Sequence, residues 1–217
     1  MDLTDIILVD KPKGVTSFDV IRILRRELGI WKMGHAGTLD PLATGLLIIG
    51  VNAGTKKLSA LIGLPKTYEA EIRLGTATDS GDADGTIVQE LPVPELSDDQ
   101  VRVAIEGMRG ELTLPVSLFS AIKRDGVPLY RYAYRGEKVE VPMRSMTVRD
   151  ASFLSYENGV IRAVFDVSSG TYVRSLAEEL GKRLGTCASI VNLRRLTIGE
   201  YSVRDARAVV DPRAKGF

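Results

Sequence analysis

From Thr67 to Leu74 polar and apolar residues alternate without a break: Tyr68, Ala70, Ile72 and Leu74 on one side, Thr67, Glu69, Glu71 and Arg73 on the other. A period of two predicts a half-buried β-strand over Lys66–Leu74. A strand with one apolar face needs hydrogen-bonded neighbours and a packed layer against it, so the chain must build a sheet. Other segments agree. Ile6–Val9, Leu46–Ile49 and Ile190–Ile198 read as buried strands. Asn158-Gly159 is a hairpin signal joining strands near Thr147–Leu154 and Val160–Val167, and Asp125-Gly126 is a second such turn. Helices interrupt these strands. One opens at Thr16-Ser17-Phe18-Asp19 and ends at Gly29, another follows the Ser97–Gln100 capping box, and a third runs from Thr171 to Leu184. A short helix is expected near Thr55–Ile62. There are no repeating βα units, so the expected class is α+β, with a mixed central β-sheet flanked by helices and loops.

The 217 residues carry 29 Lys+Arg against 28 Asp+Glu, one His and one Cys. Cys187 has no internal partner for a disulfide, and a single His and Cys leave no zinc-ligand cluster. The longest apolar run, Gly45–Val51, is too short for a bilayer. Met1–Asp5 is acidic where a secretory leader would be basic, so a cytoplasmic protein is expected. The near-neutral total hides an uneven distribution. Glu69–Glu106 has ten acidic and two basic residues, whereas Phe119–Arg149 has seven basic and three acidic. The second stretch includes Tyr130, Tyr132 and Tyr134 among arginines. It fits a protruding basic lobe able to meet a polyanion, or a solvated surface of uneven charge.

Several short runs imitate known sites. Gly50–Lys56 has the wrong spacing and order for a phosphate-binding loop, and Asp79–Gly85 lacks the distal glutamate of a calcium loop. His35 has no Gly-x-Ser-x-Gly elbow to serve as a hydrolase histidine. What remains is Gly34-His35-Ala36-Gly37-Thr38-Leu39-Asp40-Pro41-Leu42-Ala43-Thr44-Gly45, a shaped loop carrying a histidine and a carboxylate. On its residues alone, Asp40 fits a turn former before Pro41 as well as it fits a reactive group.

This run resembles the signature of the TruB family of tRNA pseudouridine synthases. Four further stretches resemble motifs of that family in the same order: Lys11–Ser17, Lys66-Thr67-Tyr68, Arg73–Thr76 with Thr78–Gly85, and Ser169–Leu176 with Leu193–Leu196. The resemblance spans about Val9 to Leu196. It implies the pseudouridine synthase fold and isomerisation of uridine 55 in the tRNA T loop. The uracil is detached from C1′ through N1, turned, and reattached through C5. It implies no metal and no organic cofactor. Asp40 falls on the family's catalytic aspartate, Arg174 on a cation that keeps this carboxylate ionised, and Tyr68 on the active-site tyrosine. Among substrate-binding residues, His35 is expected to hold the flipped-out arrangement, Leu193 to form an apolar wall, and Lys66 and Thr38 to lie in the matched motifs. Arg131 and Arg135 belong to the stretch of about 119–149, which resembles the family's RNA-clamping insertion.

The chain is thus expected to be one catalytic domain over 1–217, without the C-terminal PUA-type domain that bacterial members usually carry. The expected partner is the T stem-loop of tRNA. No membrane and no obligate protein partner are expected, and a monomer is. The local run around Asp40 looks more like the stand-alone bacterial type than the guide-dependent one. An RNA-binding tRNA-folding factor with weak or lost catalysis is the alternative, and an enzyme acting on a free nucleoside or glycoside a more distant one.

Overall fold

The computed structural model describes residues 5–137 and 139–209. In chain order the elements are β1 (Ile6–Lys11), α1 (Ser17–Leu28), β2 (Met33–Ala36), β3 (Thr44–Val51), a 3₁₀ stretch (Asn52–Lys57), α2 (Leu58–Ile62), β4 (Lys66–Leu74), β5 (Thr76–Thr78) and β6 (Ile87–Glu90). They continue with α3 (Asp98–Glu106), β7 (Gly110–Pro115), β8 (Lys123–Arg124), β9 (Val127–Pro128), α4 (Leu129–Tyr134), β10 (Met143–Glu157) and β11 (Val160–Val167). The last are α5 (Val173–Arg183), β12 (Ala188–Ile198), β13 (Tyr201–Ser202) and β14 (Arg207–Ala208). The fold is α+β, built on mixed sheet flanked by helices. Two compact units are distinguished: one takes the chain up to Glu69 and again from Leu193, the other is Ala70–Asn192.

In the first unit the strand order is β14-β1-β3-β12, with β2 also paired to β3 and β13 to β12. β1 and β2 run antiparallel to β3, and β12 runs parallel to it. β3 is covered on both faces, which explains its unbroken apolar sequence. Leu47, Ile49 and Val51 join Val20, Ile21 and Leu24 of α1, while Leu46 and Ile48 join Leu61 of α2 and Ile198. α1 begins where Thr16 and Asp19 cap one another's backbone N–H groups at 3.0 and 3.1 Å. It stops at Gly29, whose φ of 68° suits a residue without Cβ.

The second unit carries the strand order β4-β11-β10-β7. The β10–β11 hairpin turns at Asn158 and Gly159, with φ of 52° and 73°, and β8–β9 turns at Asp125 and Gly126, with φ of 50° and 78°. Both are the left-handed pairs that two-residue hairpins require. α3 packs on β10, and α5 on β7 and α3. The basic stretch is divided by structure: β8, β9 and α4 lie between β7 and β10, whereas Met143 onward is β10 itself, paired with β7. Sequence alone treats Gly34–Gly45 as one loop, but Gly34, His35 and Ala36 belong to β2. They are drawn into the sheet by pairing with Gly50, Ile49 and Ile48, which no local propensity signals.

Candidate active site

Within the first unit, residues 37–43 form the loop from β2 to β3, with Asp40 half-buried near its middle. Leu39, Leu42 and Ala43 are buried on either side of Asp40, while Thr38 and Pro41 face solvent. These three apolar side chains therefore anchor the loop around the half-buried Asp40.

Three buried polar side chains pin the loop's backbone. Ser17, in the first turn of α1, accepts the Leu39 N–H at 2.9 Å and donates to the Leu39 carbonyl at 3.1 Å. Lys11 is fully buried, and its Nζ donates to the carbonyls of Val15 at 2.7 Å, Pro12 at 2.9 Å and Pro41 at 3.3 Å. Arg195 on β12 is also buried. Its Nε donates to Leu46 O at 2.7 Å, its Nη2 to Gly37 O at 3.1 Å and its Nη1 to Thr38 O at 3.4 Å. Carbonyls in and around the loop are thus met by two buried cations, which gain the acceptors that low-polarity surroundings demand. Gly45 lets this happen. A Cβ there would stand 2.2 Å from the Arg195 carbonyl oxygen, so β3 and β12 could not approach as closely.

The other expected residues of this unit surround that framework. His35 is half-buried, and its Nδ1 is enclosed without a hydrogen-bond partner among the described residues. Burial, then the Arg195 charge, holds its pKa below the usual value. Lys66 is buried with its ammonium on Leu64 O at 2.6 Å and Ile62 O at 2.7 Å. Burial, and again Arg195, pulls its pKa down to about 8. Tyr68 is 7% exposed on the inward-facing side of β4, and Leu193 is 6% exposed, its carbonyl accepting from Thr44 Oγ1 at 3.4 Å. Arg194 takes both oxygens of Asp10, at 3.1 and 2.7 Å.

In the second unit Arg174 sits in the first turn of α5, 5% exposed. Its Nη1 donates to Ser80 O at 2.8 Å and its Nη2 to Phe119 O at 3.0 Å, with Asp82 Oδ2 3.9 Å from Nε. Asp82 also accepts from Ser80 Oγ at 2.7 Å and the Asp84 N–H at 3.2 Å, and Asp79 accepts from the Thr86 N–H at 2.9 Å. The acidic loop thus folds on its own amides and hydroxyls and on Arg174. Among the described residues no cluster of three or more His, Cys, Asp or Glu is placed to hold a metal. Arg131 and Arg135 are exposed on and after α4, Arg135 lying 3.7 Å from Glu137. Phe119, Tyr130 and Tyr134 make edge-to-face contacts nearby, at centroid distances of 5.8 and 6.3 Å.

From the sequence Lys11 and Arg195 are only members of motifs, and Ser17 is a candidate helix cap beside Thr16; the cap is Thr16, and Ser17 instead holds Leu39. Their burial is the missing signal: a Lys or an Arg predicted inside an apolar layer must have several acceptors.

Residues 25–173 match the TruB family pseudouridylate synthase (N terminal domain). A protein of Aromatoleum aromaticum named tRNA pseudouridine synthase B is 43% identical over 93% of the chain, which spans 65% of that protein's length. A protein of the same name from Opitutus terrae is 41% identical over 94% of the chain and 85% of its own length. Among solved structures, a Cbf5-Nop10-Gar1 complex contains a chain with TM-score 0.73 and 25% identity, covering 95% of this chain and 52% of that one. An H/ACA RNP bound to a substrate RNA containing 2′-deoxyuridine gives TM-score 0.71 at 23% identity, over 94% of this chain and 51% of that one, a likeness of fold.

Proposed function

The chain belongs to the TruB family of pseudouridine synthases, and on that premise we propose that it converts uridine 55 of the tRNA T loop to pseudouridine. The observation that carries the reading is Asp40, a half-buried carboxylate on a loop whose backbone is held by Lys11, Ser17 and Arg195. A group that must meet a ribose or a base at one position needs such a rigid support.

In this reading the target base leaves its stack and enters the site, since C1′ and C5 are inaccessible inside folded RNA. Asp40 acts at the sugar or base as the bond from C1′ to N1 breaks. The uracil turns, C5 bonds to C1′, and the C5 proton departs with the Tyr68 hydroxyl assisting, while N1, freed from C1′, takes up a proton, so that product and substrate are isomers. Arg174 supplies the cation that keeps the carboxylate ionised, Leu193 the apolar wall, and His35, Thr38 and Lys66 the surroundings of the flipped nucleotide. Arg131 and Arg135 contact phosphates of the T arm. As the resemblance implies, the reading assigns no metal and no organic cofactor. The reading further takes the protein as a cytoplasmic, stand-alone monomer, which rests on the family resemblance. Among the described residues no helix is long and apolar enough to cross a membrane.

The test is to incubate the protein with unmodified tRNA transcript, without added metal or cofactor, and map pseudouridine. Product at position 55 is expected, and none from Asp40→Asn, which keeps the shape but removes the charge. Asp40→Asn should bind RNA much as the parent does, because phosphate contacts lie elsewhere. RNA binding by the parent without any product would favour the folding-factor alternative.

A further inference from the structure

α1 has two faces. Ser17, Val20, Ile21 and Leu24 are buried, and the opposite side carries Phe18, Arg22, Arg25 and Arg26, one above another at helical spacing. Two residues beyond the Gly29 cap the chain exposes Trp31 and Lys32. Trp31 is 75% and Phe18 47% exposed, and they are the only large apolar side chains so exposed between Lys13 and Lys32. The Phe18 ring lies under two guanidiniums, with Arg22 Cζ 4.8 Å and Arg25 Cζ 5.7 Å from its centroid.

The stretch Lys13–Lys32 has five basic residues and two acidic ones. Both carboxylates are already engaged: Asp19 caps the helix and pairs with Arg22 at 3.1 Å, and Glu27 takes Arg207 at 2.8 and 3.2 Å. Among the described residues Lys13, Arg25, Arg26 and Lys32 have no carboxylate partner, and Arg25 Nε is enclosed without a hydrogen-bond partner. Unpaired cations beside isolated exposed aromatics suit a polyanion that also offers flat rings. A protein interface also uses Trp and Arg, but its core is depleted of charge, whereas here the cations outnumber the engaged carboxylates.

We infer that the outer face of α1, together with Trp31 and Lys32, is a second RNA-contact surface, its cations on backbone phosphates and Trp31 stacked on a base. The inference rests on the RNA-directed reading above but concerns binding, not chemistry. It places contacts on an element other than the basic insertion.

Trp31 is the sole tryptophan of the chain, so its fluorescence reports this place alone. Unmodified tRNA transcript is titrated into the parent while Trp31 emission and its quenching by acrylamide are followed. Saturation is expected to lower the acrylamide quenching constant at least about twofold, since stacking buries the indole. The charge-reversed pair Arg26→Glu/Lys32→Glu is expected to weaken binding about tenfold or more. The milder pair Arg26→Gln/Lys32→Gln should lower the slope of log K against log salt by about 1.4–1.8, one counterion set per lost phosphate contact. Both substitutions are at exposed sites, and matching thermal unfolding of parent and variants checks the fold. Unchanged Trp31 quenching together with a parent-like salt slope in the Gln pair overturns the inference. So does RNA binding that stays at the parent's level while the Glu pair loses a co-purifying protein, which would make the face a protein interface. A protected Trp31 with no pseudouridine formed would leave this surface standing and remove only the catalytic reading.

Discussion

Replacing Arg195 by methionine tests the framework beneath Asp40. Methionine keeps an unbranched apolar stem but removes every donor. Arg195 is 1% exposed and its guanidinium satisfies three carbonyls, at 2.7, 3.1 and 3.4 Å. Hydrogen bonds to a charged group contribute about 1.5–3 kcal/mol each, and the longest here is too weak to count in full. The two shorter ones give roughly 3–6 kcal/mol. Relief from burying a guanidinium offsets part of this, leaving about 3–5 kcal/mol of destabilisation. For a chain of this size that is roughly 6–20 °C in Tm. The same substitution has an electrostatic reporter. His35 is the only histidine, and its pKa is held low by burial and by Arg195. Losing the cation should raise it, and the histidine ring protons in an NMR titration carry no overlap from other residues. Denaturant unfolding measures the first effect and the titration the second. A stability loss under about 1 kcal/mol, with His35 titrating as in the parent, would refute the assignment of Arg195 as the clamp of the loop.

Gly45→Ala should be among the most damaging single changes. Its Cβ would meet the Arg195 backbone, and its φ is +103°, so a loss of about 4 kcal/mol or more is expected in urea unfolding. Ser17→Ala strands the buried Leu39 N–H and should cost about 1–3 kcal/mol, with product formation at 55 falling further than stability alone explains because the loop loosens. Lys66 predicts a pH dependence. Its folded pKa of about 8 lies below the ordinary 10.5, so between those values the unfolded chain holds a proton that the folded one has released. The stability of the parent relative to Lys66→Met should therefore rise as pH increases from 8 to 10.5 and stay level below 8. Paired urea melts across that range check the sign.

The α+β class, the strand Lys66–Leu74, the caps of α1 and α3 and the hairpins at 125–126 and 158–159 could all be read from the chain. Each depends on residues within one turn or a few positions, where periodicity, a capping hydroxyl or a left-handed pair acts locally. The motif around Asp40 was visible in the same way, as a glycine- and proline-shaped run. What supports it was not. Lys11 lies 30 residues from Pro41, Ser17 22 from Leu39, and Arg195 158 from Gly37. Sequence shows a lysine, a serine and an arginine, each of which would ordinarily face water. Only when β1, α1 and β12 pack around β3 do these side chains lose their water and turn to backbone carbonyls, those of the loop at Gly37, Thr38, Leu39 and Pro41 among them. The same packing turned Gly34–Ala36 from loop into strand, because β12 pairs with β3 only at Thr44 and Gly45 and leaves the backbone of Ile48–Val51 on that side for β2 to pair.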